Sequence, residues 1–355
     1  RLDDIYRLQL RGYQPTEVAA VDAIAGWKIP VVLERTPVLQ ATVDGPITSA
    51  PAVFDGKIWI AGSSNLVAVG LNDGLVSQFR FDSQGLGVQA LDEPVYAPVV
   101  EANGQVLVTT RDNVVIRLRD GTLTRQPLAG RSNHALLYYL SPVVIDRELL
   151  VVAGLDGRVK ASDPRQAGVI WQGAPGSPFI CRPVLIGSRV HLVRRDGLME
   201  INEIDDGLSV WSKKLVDGQV IAAWAGEQAV VGYTESQRFR WRDDEVVIEP
   251  LPQEILAAAP GVIVTRDYRI HLREVEEDGA TTGWRPVGKI PRDERRLHHV
   301  RRWNDHAVVV LGQDLLVYGA RGFRLTTEAD FLPPRVADGH LIVATNNGQI
   351  SIFAP

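Results

Sequence analysis

The chain has 355 residues, 45% of them apolar and 23% charged, and a formal net charge of −5. That balance supplies a large core and argues against a surface built throughout to hold nucleic acid. A lone cysteine, Cys181, excludes an internal disulfide, and no apolar run reaches the roughly 18 residues a membrane-crossing helix needs. The chain begins at Arg1 and reads as a processed or trimmed piece whose targeting signal is not visible.

Residues 1–26 stand apart. RLDDIYRLQLRGYQ has no clear period, whereas Pro15, Thr16 as an N-cap, and Val18, Val21 and Ile24 at helical spacing predict a short helix before Gly26. Residues 31–43, VVLERTPVLQATV, predict a single strand. A repeat then begins. SAPAVFDGKIWIAG from Ser49, APVVEANGQVLVTT from Ala97, SPVVIDRELLVVAG from Ser141 and RPVLIGSRVHLVRR from Arg182 each carry a Pro-led apolar run across a polar turn into a second run. Their prolines, Pro51, Pro98, Pro142 and Pro183, are 47, 44 and 41 residues apart. That spacing lies within the roughly 40–50 residues of one four-stranded propeller blade. Apolar residues alternate with period two, which excludes a helical solenoid.

The second half follows the same plan in eroded form, from Ile221, Ala259, Arg302 and Pro333, which makes eight units. The last stops after three strands. Pairing it with the strand at 31–43 closes a ring and removes two bare sheet edges. The predicted fold is therefore all-β: an eight-bladed β-propeller of four-stranded antiparallel blades over residues 27–355, closed by an N-terminal strand. A seven-bladed ring, with one unit read as two, is the alternative.

Chemistry is sparse by comparison. GLGVQA from Gly85 lies between strands with no following helix to present to a phosphate, and Gly-x-Ser-x-Gly, Cys-x-x-Cys and His-Glu-x-x-His are absent. His298 and His299 point to opposite faces if on a strand and cannot share one metal. Asp205/Asp206 and Asp243/Asp244 read as turn residues. One charged stretch stands out, RDERRLHHVRRW at 292–303, with five arginines, two histidines and two acids. Read structurally, it is an inter-blade loop and the opening strand of the seventh unit. Read functionally, it is a contact patch for an acidic partner, with Arg295, Arg296, Arg301 and Arg302 as electrostatic anchors and Trp303 as an aromatic one.

Two segments carry a resemblance. ASDPRQAGVIW from Ala161 and INEIDDGLSVW from Ile201 resemble the Ala-x-Asp-x-x-x-Gly-x-x-x-Trp motif of pyrroloquinoline-quinone-type propeller repeats. Ala161, Asp163 and Trp171 match in the first, with Ala167 in the Gly position. Gly207 and Trp211 match in the second, with Glu203 for Asp and Ile201 for Ala. The resemblance implies that the Trp packs between blades, that Asp and Gly shape the turn between third and fourth strands, and that the small residue sits against the neighbouring sheet. It covers residues 31–355 in plan and is sharp over 49–215. An eight-unit ring closed by an N-terminal strand is similar to the BamB-like outer-membrane assembly lipoproteins, which implies a cell-envelope or periplasmic location and a protein partner.

Quinone enzymes of this fold use adjacent cysteines and long inserted loops; a single cysteine and turn-length connections lead to the expectation of no cofactor, no metal and no catalysis. The resulting reading is a non-enzymatic interaction scaffold, a monomer or one subunit of a hetero-complex. The alternatives are an enzyme or ligand-binding propeller using the axial channel, and the propeller part of a larger cytoplasmic regulatory protein.

Overall fold

A computed structural model of the chain describes residues 5–8, 16–19, 36–62, 65–80, 99–102, 105–109, 114–127, 143–145, 149–154, 157–163, 168–226, 228–275, 281–291, 297–319 and 322–354. Eight four-stranded antiparallel sheets are formed, each a blade. Blade 1 spans residues 52–80, blade 2 100–127, blade 3 143–172, blade 4 184–214, blade 5 220–250, blade 6 255–289 and blade 7 299–326. Blade 8 takes three strands from the C-terminus, Arg335–Ala337, His340–Ala344 and Gln349–Phe353, and its outermost strand, Leu39–Thr42, from near the N-terminus. The closing register runs from Leu39 opposite Ile352 to Thr42 opposite Gln349. The ring is eight-bladed and not seven-bladed. The closing strand is shorter than the predicted 31–43, of which 31–35 lie outside the described residues.

Both faces of a blade are covered by its neighbours, so the middle strands lose the alternation of a half-exposed sheet and become continuously apolar. Lys57–Ala61, Leu149–Ala153 and His306–Leu311 are buried almost throughout. The core is correspondingly divided. Separate apolar clusters fill the seams between blades 1 and 2, 3 and 4, 4 and 5, 5 and 6, 6 and 7, 7 and 8, and 8 and 1. The first strands of blades 5 to 8 contact one another in succession, which places first strands at the centre of the ring. Two-residue turns such as Asp55-Gly56 and Asp338-Gly339, with both φ positive, supply the twist that joins strands tightly.

In one place the fold departs from expectation. Thr16–Ala19, expected to begin a helix, is a strand paired antiparallel with Ile5–Leu8, with Tyr6 opposite Val18. β-Branched Thr16 and Val18 favour the extended chain, and a helix of two or three turns standing alone is marginal in water. The rest of the predicted helix lies outside the described residues.

Candidate functional site

The motif residues lie at a blade seam. Trp171, on the outer strand Gly168–Gln172 of blade 3, is buried, and its Nε1–H donates to the Ile204 carbonyl of blade 4 at 2.7 Å. The indole lies over Gly207, whose φ of +71° already favours glycine and whose absent side chain leaves room for the ring. Trp and Gly of the motif are thus partners across neighbouring blades. At the matching turn of blade 1, a Cβ on Gly74 would meet Leu39 of blade 8 at 3.3 Å, so leucine takes the indole's place at the closing seam. Asp73 and Asp206 hold these turns by accepting from the amides of Leu75 and Leu208, at 3.0 and 2.9 Å. Ala161 is fully buried, and Asp163 is half-buried at the end of its strand. Trp211, half-buried, packs with Trp241 of blade 5, their ring centroids 6.4 Å apart.

Of the basic run, the structure describes residues 297–303, whose two arginines lie on opposite faces of one strand. Arg295 and Arg296 lie outside the described residues. Arg301, Arg302 and Trp303 belong to His299–Trp303, the first strand of blade 7, on which successive side chains alternate. Arg302 turns toward blade 6: its Nη1 donates to the Arg273 carbonyl at 2.8 Å and its stem packs on Gly261. Arg301 shares the opposite face with Trp303. The expectation of an exposed Trp303 is overturned, for it is only 1% exposed. Its ring contacts Phe323 edge-on at 6.3 Å, and its Nε1 donates to the Gly339 carbonyl of blade 8 at 2.7 Å. Trp303 is a seam residue, because a first strand flanked by two blades buries whatever large side chain it turns toward either.

His298 precedes the strand and His299 opens it, their rings nearly perpendicular with centroids 6.4 Å apart. Burial, and secondarily His298, push His299 down to about 4, so it is neutral at pH 7. Burial also pushes the Cys181 thiol up to about 12. Among the described residues no group of three or more His, Cys, Asp or Glu side chains is placed to hold a metal, and no helix is long and apolar enough to cross a membrane. Asp205/Asp206 and Asp243/Asp244 fall in strand-to-strand turns, the latter pair at φ +51° and +63°.

Two arginines that the sequence did not single out lie at or just before first strands. Arg335 opens the first strand of blade 8, and Arg182 lies just before the first strand of blade 4. The visible signal was a basic residue beside the unit-opening proline in both, Arg182-Pro183 and Pro334-Arg335.

Eight closed blades define the chain as an eight-bladed β-propeller. Among solved structures it is similar to BamB from Moraxella catarrhalis, with a TM-score of 0.64 and 14% identity over 89% of this chain and 98% of that one. It is likewise similar to the computationally designed Ika8 protein, with a TM-score of 0.61 and 12% identity over 88% and 98%. At such identities both likenesses show the fold alone, and one fold serves many functions. No family model matches the chain, and no curated protein does.

Proposed function

We propose that this propeller is a non-enzymatic scaffold that holds a protein partner within a larger, envelope- or membrane-associated assembly. The observation that carries the reading is a bare apolar rim at a rigid seam. Ile170 and Leu208, the neighbours in sequence of Trp171 and Gly207, are 51% and 65% exposed. Val210 on the same outer strand as Trp211 is exposed as well. Large apolar side chains gathered on a stiff support are what a partner's apolar face buries. The overall likeness to BamB and the resemblance of the Trp171 and Trp211 segments to quinone-type repeats support the scaffold reading, and the envelope location is proposed on the family resemblance alone.

The test is capture from a lysate of the native organism with the full chain as bait, followed by mass spectrometry. One stoichiometric protein is expected with the wild type and is expected to be lost with the I170K/L208K variant, whose thermal midpoint should stay near wild type because both side chains are exposed. A second variant, R295E/R296E, asks whether the basic run adds to the same contact. If no protein is retained by the wild type, or if I170K/L208K retains it equally well, the rim is not the contact face and this reading falls.

A further inference from the structure

The seam between blades 7 and 8 is left partly unfilled. A cleft of about 210 Å³ opens there, between the outer strand Phe323–Thr326 of blade 7 and the face of blade 8 that carries Val343, Ser351 and Gln40. Those three residues form one row, since Gln40 pairs with Ser351 and Ser351 with Val343. Phe331 and Phe353, both buried, supply apolar lining.

Blade 4 closes the same position with its own side chains. Its middle hairpin turns through Arg194 and Gly197 as that of blade 8 turns through Thr345 and Gly348, with the same two backbone hydrogen bonds. Phe179 bridges to Arg194 as Phe331 bridges to Thr345. Glu200, opposite Leu192, matches Ser351, opposite Val343. The buried Arg194 guanidinium lies 4.5 Å from the Phe179 ring centroid and pairs with Glu200 at 3.0 Å. Blade 8 has threonine and serine in their places, and the shorter side chains leave the gap.

A cation is nonetheless present, supplied by blade 7. Arg324 lines the cleft, and its Nε and Nη2 donate to one oxygen of Asp314, at 3.1 and 2.8 Å. Thr326 donates to that oxygen as well, at 2.6 Å, and Asp314 is only 1% exposed. The guanidinium is thereby held in place, while its Nη1 engages no described residue and its side chain is 46% exposed. The side chains of Gln40, Gln349 and Ser351 also line the cleft without a hydrogen-bond partner among the described residues. What is missing relative to blade 4 is the carboxylate.

We propose that this cleft binds a small monocarboxylate carrying a compact apolar body, either a free acid or the C-terminal residue of a partner chain. The carboxylate takes the place that Glu200 holds in blade 4 and accepts from Arg324, a charge-assisted bond to a donor already oriented. The apolar body covers Leu325, Phe331 and Val343, and Gln40 and Ser351 serve a neighbouring amide. One guanidinium already shared with Asp314 suits a single negative charge better than a phosphate. Rings as buried as Phe331 and Phe353 offer a sugar no open face to stack on. The volume lies below the roughly 300–1,000 Å³ of drug-sized sites, which limits the ligand to about one residue. The cleft is separate from the rim at the blade 3–4 seam, so its failure leaves the scaffold reading standing.

Titration of the full chain with N-acetyl-leucine, read by ligand-observed NMR, is expected to show saturable binding with a Kd of about 1 mM, the order set by so few atoms. N-Acetyl-leucinamide, which lacks the charge, is expected to bind about tenfold more weakly. Hexanoate separates the two sources: equal binding assigns a free acid, weaker binding a chain terminus, and either supports the site. S351E, which restores the carboxylate of blade 4, is expected to abolish binding without lowering the thermal midpoint, and S351L to abolish it by filling the cleft. R324Q is expected to weaken binding about tenfold or more. It also removes the ion pair of buried Asp314, so S351E carries the test if R324Q does not fold. No binding of either acid by the wild type, or N-acetyl-leucine binding unchanged in S351E, overturns the site. N-Acetyl-leucinamide binding as tightly as the acid overturns the carboxylate assignment.

Discussion

Two tryptophans dock blades in this ring, Trp171 at the rim and Trp303 beside the axis. Each donates its indole N–H at 2.7 Å to a carbonyl in a turn of the following blade, Trp171 to Ile204 and Trp303 to Gly339. Each of those turns contains a glycine at positive φ, Gly207 or Gly339. What recurs is therefore an arrangement, an indole capping the next blade's turn, and not a residue at a fixed place in the repeat. In blade 7 the outer strand Phe323–Thr326 carries no tryptophan. Phe323 instead sits between Trp303, met edge-on, and Phe353, with ring centroids 6.3 and 5.3 Å away. The motif eroded at the rim where the seam is held from inside.

Replacing Trp303 by alanine should have the largest effect on this comparison. A fully buried indole with a satisfied N–H leaves a large cavity, and a loss of about 3–5 kcal/mol in denaturant unfolding is expected. Trp171→Ala should cost about 3 kcal/mol, at the low end of the same range, since the rim collapses more easily. Gly207→Ala should cost about 1–2 kcal/mol for its left-handed backbone and about 1–3 more for pressing on the Trp171 ring. In a Trp171→Ala background only the backbone part should remain, a coupling of about 1–3 kcal/mol. Equal cost in both backgrounds would show that the ring does not bear on Gly207, and the kinship between the two seams would then rest on Trp303 alone.

Most of the ring could be read from the chain, because a blade covered on both sides imprints itself as apolar runs such as KIWIA and LLVVA between Asp, Gly and Pro turns. The Trp171 seam was readable through its motif. Trp303 was misplaced for a local reason: five arginines drew attention to charge, while period two alone puts Arg301 and Trp303 on one face and Val300 and Arg302 on the other. The pairing of Leu39–Thr42 with Gln349–Phe353 was legible only through the count of strands in the last unit. Thr16–Ala19 shows the reverse case, in which a plausible helical spacing lost to strand pairing.

Acid should separate the two seams. The strand that carries Trp303 opens with His299, held down near 4 by burial and by His298. Above about pH 6.5 both folded and unfolded chains leave it neutral. As pH falls from 6.5 toward 4, only the unfolded chain takes up the proton, so stability is fully present above that window and declines through it. His191 and His271, also lowered by burial, act in the same sense. Unfolding midpoints measured from pH 7 to pH 4 should therefore fall, and His299→Gln should flatten part of the decline. The described partners of Trp171, Ile204 and Gly207, do not titrate, so Trp171→Ala should lower the curve without changing its slope.

The smallest effect expected is on Cys181, and it bears on whether the seams open separately. The thiol is buried in the cluster between blades 4 and 5, and its pKa of about 12 leaves almost no thiolate in the folded protein. Labelling by a thiol reagent must then wait for an opening, and its rate follows the population of the open form when reclosing is fast. Trp171→Ala loosens one side of blade 4 and should speed labelling several-fold beyond what its global stability predicts. Trp303→Ala loosens a seam on the far side of the ring and should speed labelling only in proportion to global unfolding. If both variants follow global stability, the ring opens as one cooperative unit, and the rim and axial docking contacts differ in strength but not in what they guard.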